Sequence, residues 1–70
     1  MNRKKRYNIS NNEAVLRIIS MHGGKIEKEE LLKEFSEMQG YGDGWRALSV
    51  TFFYLKNKIK REKREIIYYE

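Results

Sequence analysis

Seventy residues make one small domain, and without cysteine neither a disulfide framework nor a thiolate zinc site can supplement its core. The single histidine builds no metal site unless carboxylates supply the other ligands. The net charge is +5, and the longest near-apolar run, Val50 to Leu55, is far too short to cross a bilayer.

The charge is gathered rather than spread. Residues 1–10 carry Arg3, Lys4, Lys5 and Arg6 with no acid. Residues 25–43 carry three bases against six acids, and residues 44–64 carry seven bases against Glu62 alone. Two positive stretches around a negative one suit a polyanionic partner such as nucleic acid. A pair of solvated basic stretches is the plainer reading.

In chain order, residues 1–9 form a basic arm and residues 10–70 the folded domain. The S-x-x-E spacing of Ser10 and Glu13 has the form of a capping box, with Ile9 and Ala14 as a weak hydrophobic staple. Val15, Ile18, Ile19 and His22 then recur at helical spacing, and Gly23-Gly24 supplies a left-handed stop, so a first helix is predicted over about 11–22. His22 sits on its apolar edge. Ile26, isolated after the glycines, suits a very short strand.

A second helix is expected from near Glu27 to Gly40. Glu27, Glu29 and Glu30 lie in its first turn, where the helix dipole favours acids, and Leu31, Leu32, Phe35 and Met38 form its apolar stripe. Its acids read as a solvated face. Without a matching nucleophile, metal ligand set or phosphate-cradling loop, they do not suggest an enzyme, a cofactor or a small-molecule ligand. After the turn-rich "GYGDG", Asp43 is the expected N-cap of a third helix running from Gly44 to about Lys60. Trp45, Leu48, Phe52, Leu55 and Ile59 form its continuous 3-4-3-4 stripe, which should pack on the first two helices. The β-branched and aromatic "IIYY" then predicts a single terminal strand.

Three helices, with a short strand after the first and a β element after the third, resemble the winged helix-turn-helix DNA-binding domains of small archaeal, bacterial and viral regulators. The resemblance rests on the order of elements. It implies a mainly α, three-helix domain with a short β element, its wing here truncated to one strand. It also implies a third helix lying in the major groove, with Arg46, Ser49, Val50 and Asn57 facing the bases. Arginine suits guanine, asparagine suits adenine, and Val50 can touch a thymine methyl. Lys56, Lys58, Lys60, Arg61, Lys63 and Arg64 would hold phosphates, and the arm residues Arg3, Lys4, Lys5 and Arg6 would lie along the backbone or in the minor groove.

Phe53 and Tyr54 fit poorly on a DNA-reading face; they suggest a homodimer contact, or a first helix that wraps far enough around to cover them. The terminal strand supports the dimer, because its only partner within the chain would be the stretch around Ile26, leaving an edge for a second copy. Alternation places Ile67 and Tyr69 on one face of that strand, the one assigned to the dimer. The expected function is therefore that of a cytoplasmic, nucleoid-associated transcriptional regulator binding double-stranded DNA. Its rivals are a sequence-independent nucleic-acid-coating protein and a protein–protein adaptor on the same scaffold.

Overall fold

The computed structural model describes residues 9–68. They form α1 (Asn11–Met21), β1 (Lys25–Glu27), α2 (Lys28–Gln39), α3 (Trp45–Tyr54), β2 (Ile59–Arg61) and β3 (Glu65–Tyr68). The basic arm, with Arg3, Lys4, Lys5 and Arg6, lies outside the described residues, as does Tyr69.

Local chemistry sets the ends of α1. The Ser10 hydroxyl accepts the Glu13 backbone N–H at 3.1 Å, satisfying one of the free donors of the first turn. The Glu13 carboxylate pairs one turn onward with Arg17 at 2.7 Å instead of completing the box. At the other end, Gly23 and Gly24 adopt φ of 81° and 98°, values at which a Cβ would be strained. The Gly24 N–H then donates to the Ile19 carbonyl at 2.9 Å, and the chain enters β1 directly.

The sheet is antiparallel in the order β1-β3-β2. Ile26 pairs with Ile66 on one side of β3, and Lys60 pairs with Ile67 on the other. The β element after α3 is therefore a two-stranded hairpin, not the single strand expected from sequence. β3 lies between two partners of its own chain, so the unpaired edge invoked for dimerisation does not exist there. The exposed edges belong to the three-residue strands β1 and β2.

The extra strand is taken from the expected third helix. α3 stops at Tyr54, and residues 55–58 form a turn. Continuing the helix would set Lys56 against Lys60 at i,i+4, a repulsive pair with no acid among residues 55–61 to relieve it. In the sheet, Ile59 is instead buried opposite Tyr68. Leu55 and Ile59 are both in the core as the stripe predicted, but a turn and a strand place them there.

Ala14, Val15, Ile18 and Ile19 of α1 meet Leu31, Phe35 and Met38 of α2 and Leu48 and Phe52 of α3, with Ile26 and Ile66 closing the sheet side. Trp45 departs from the expected stripe and is 50% exposed. It is the first residue of α3, and the residue before it makes the close approach: a Cβ on Gly44 would lie 2.6 Å from Ser36 Oγ and 3.2 Å from Phe35 Cδ2. Buried Gln39 ties the chain entering α1 to the end of α2. Its amide nitrogen donates to the Ile9 carbonyl at 3.0 Å and to Asn11 Oδ1 at 2.8 Å. Among the described residues, no helix is long and apolar enough to cross a membrane.

Candidate nucleic-acid interface

α3 is anchored at its front by two side chains. Ser36 Oγ accepts the Gly44 N–H at 3.0 Å, and Asp43 Oδ1 accepts the Trp45 N–H at 3.1 Å. Asp43 is not the N-cap expected from sequence, which is Gly44; it braces the first turn from one position earlier. Leu48, Thr51 and Phe52 face the core, and the Thr51 hydroxyl is satisfied by the Ala47 carbonyl at 2.8 Å.

The outward face of α3 holds Trp45, Arg46, Ser49, Val50, Phe53 and Tyr54. Arg46 is exposed and Ser49 half-buried. Val50 is 51% exposed, Phe53 65% and Tyr54 69%, so the face is more aromatic and aliphatic than polar. The Phe53 and Tyr54 rings meet edge to face at 5.8 Å, and the Lys56 ammonium stands 5.3 Å from the centre of the Phe53 ring. That ammonium lies within cation–π range, so apolar surface and positive charge are continuous at the back of α3.

Asn57, expected on the groove-facing side of a longer helix, is exposed in the turn after α3. An asparagine three residues past the helix end does not share the geometry of Arg46 in the first turn. Lys56 and Lys58 occupy the same turn, and Lys60 and Arg61 are on β2. The Arg61 guanidinium lies 5.9 Å from the Phe52 ring, and Lys60 is within 3.2 Å of Glu62.

Lys63 and Arg64 go elsewhere. They form the hairpin tip, which folds back on the start of α2, where the Lys28 N–H donates to the Arg64 carbonyl at 2.8 Å. There they line a surface cleft with Glu27, Lys28 and Glu29. A neighbouring cleft around the same tip adds Glu62 and Glu65, so four carboxylates stand among Lys28, Lys63 and Arg64 and cancel their attraction for a phosphate. The six cations of 56–64 are all exposed, but the fold separates the four that follow α3, of which Lys60 is paired with Glu62, from the two at the hairpin tip.

Of the residues assigned to a dimer, Phe53 and Tyr54 are exposed, while Ile67 is half-buried in the central strand. Two placements, one in the site and one away from it, escaped the sequence reading. Trp45 belongs to the exposed face, and nothing local distinguishes it from a core tryptophan. His22 does not rest on an apolar edge: its Nε2 lies 2.8 Å from Glu34 Oε2. Compared with known protein families, with curated proteins and with solved structures, the chain finds no match.

Proposed function

We propose that this chain is a winged-helix-like protein that binds double-stranded DNA, with the first turns of α3 in the major groove and the following turn and β2 along the flanking backbone. The order of elements, with a hairpin after the third helix, supports that fold assignment. The observation that carries the functional reading is the exposed series Lys56, Lys58, Lys60 and Arg61 directly behind an outward α3 face that begins with Arg46. In this reading Arg46 reads a base edge, Val50 makes an apolar contact in the groove, and the four cations neutralise phosphates. Asn57, placed in the turn, contacts the backbone instead of a base. The acids of α2 turn that face away from the polyanion. The role in the cell would be transcriptional regulation.

Phosphate contacts outnumber candidate base contacts, so the binding is expected to be strongly salt-dependent and only modestly sequence-selective. A coating protein would share the first property and lack the second. The exposed Trp45, Val50, Phe53 and Tyr54 favour a second reading, in which α3 contacts another protein or a second copy of this chain. Binding of wild type, Arg46→Ala and Asn57→Ala to mixed-sequence duplex, with random competitor, separates these readings. A regulator loses discrimination with Arg46→Ala and only affinity with Asn57→Ala. A coating protein discriminates with none of the three. No duplex binding at low salt removes both DNA readings.

A further inference from the structure

The fold brings the only histidine of the chain to two carboxylates of α2. Glu30 and Glu34 are one helical turn apart, on the face of α2 that meets the end of α1. One donor atom each from His22, Glu30 and Glu34 lies within 4.8 Å of the other two. The arrangement is fixed from the backbone. The N–H of His22 is held by the carbonyls of Ile18 and Ile19, and the two left-handed glycines that follow turn the chain away, leaving the imidazole beside α2. The side chains of His22 and Glu34 are each 30% exposed and Glu30 is exposed, so the cluster is open to an ion from solvent.

We infer that His22, Glu30 and Glu34 form a binding site for a divalent transition-metal ion, Zn2+ foremost, which clamps the end of α1 to α2. One imidazole nitrogen and two carboxylate oxygens make a suitable three-ligand set, with water completing the tetrahedron. Zinc holds such donors at ~2.1 Å, which sets them about 3.4 Å apart. To reach that value the 2.8 Å contact of His22 with Glu34 opens slightly, and Glu30 draws in from within 4.8 Å. A hydrogen bond from the imidazole serves Glu34 alone and leaves Glu30 and Glu34 as a like-charged i,i+4 pair, a standing cost that a dication removes. A domain of this size without disulfides also has the most to gain from a metal clamp. The site is independent of the DNA-binding reading, since none of its three residues lies on α3 or the hairpin.

The test is thermal unfolding of untagged, chelator-treated protein with Zn2+ alone, together with visible absorption on adding Co2+. Wild type binds one equivalent, and a hundredfold excess over Kd raises Tm by about 10–20 °C. Co2+ gives visible bands that Zn2+ displaces. His22→Ala abolishes both signals, and Glu30→Gln and Glu34→Gln each weaken binding at least tenfold. Glu37→Gln, on the same helix and outside the cluster, leaves both intact. Circular dichroism establishes that each variant is folded before titration. Absence of a Tm rise in wild type at millimolar Zn2+, an equal rise in His22→Ala, or an equal loss in Glu37→Gln overturns the assignment.

Discussion

Replacing Gly44 by alanine adds one methyl group at the point where α3 is seated on α2. Three effects compete. Alanine reduces the freedom of the unfolded chain, which favours the variant by about 0.4–1 kcal/mol, since the φ of −90° at this position suits any residue. Against it, glycine is the better helix N-cap by a fraction of a kcal/mol or more. The decisive term is steric: the new Cβ falls 2.6 Å from Ser36 Oγ and 3.2 Å from Phe35 Cδ2. Ser36 cannot simply swing away, because its hydroxyl accepts the Gly44 N–H. Phe35 is fully buried and stacked on Tyr41 at 5.7 Å, so it too resists displacement. Overpacking of this kind costs about 1–3 kcal/mol, which outweighs the entropic gain. The expected net loss of about 1–2 kcal/mol lowers Tm by roughly 4–16 °C, read by circular dichroism or calorimetry. The double variant Ser36→Ala/Gly44→Ala relieves the closest contact, so it should be less than additive. A Gly44→Ala protein as stable as wild type, or more so, would mean that α3 is not seated this closely on α2.

Gln39→Ala strips partners from the Ile9 carbonyl and Asn11 and should destabilise the domain by about 1–3 kcal/mol, measured by urea unfolding; a loss below about 0.5 kcal/mol would show the clamp to be unimportant. If two phosphate contacts are lost, Lys56→Ala/Lys58→Ala reduces the slope of log K against log salt by about 1.8. Lys63→Ala/Arg64→Ala, beside the acids of α2, should change that slope by less; the reverse order would assign the phosphate contacts to the hairpin tip. Should Phe53 and Tyr54 form a homodimer contact, light scattering finds wild type as a dimer and Phe53→Ser/Tyr54→Ser as a monomer. Equal masses would remove these residues from any self-association.

Signals confined to a few neighbouring residues were legible in the sequence. The Ser10 cap, the glycine pair after His22 and the apolar spacing of α1 and α2 act locally, and those elements fall within a residue or so of their predicted ends. The end of α3 was not legible, because Leu55 and Ile59 satisfy the helical stripe and also satisfy a turn followed by a strand. Choosing between them needs β3, which supplies Tyr68 opposite Ile59 and is itself fixed by β1. Missing β2 also explains why an unpaired edge of β3 was expected. Charge counting located the basic stretch, but not its division at the hairpin tip, which depends on Arg64 meeting Lys28 across 36 positions of sequence. The Glu30 and Glu34 spacing was visible in the sequence; the proximity of His22 is a property of helix packing alone.

The central claim is that α3 and the residues just behind it meet a DNA duplex, and amide chemical-shift mapping at low salt tests it most directly. Titrating labelled protein with a mixed-sequence duplex should move the amides of residues 45–61 most, above all Arg46, Val50 and Lys56 to Arg61, and the shifts should fade as salt rises. The exposed acidic face of α2 should stay still. Shifts centred on α2, or none at all at low salt, would contradict the account.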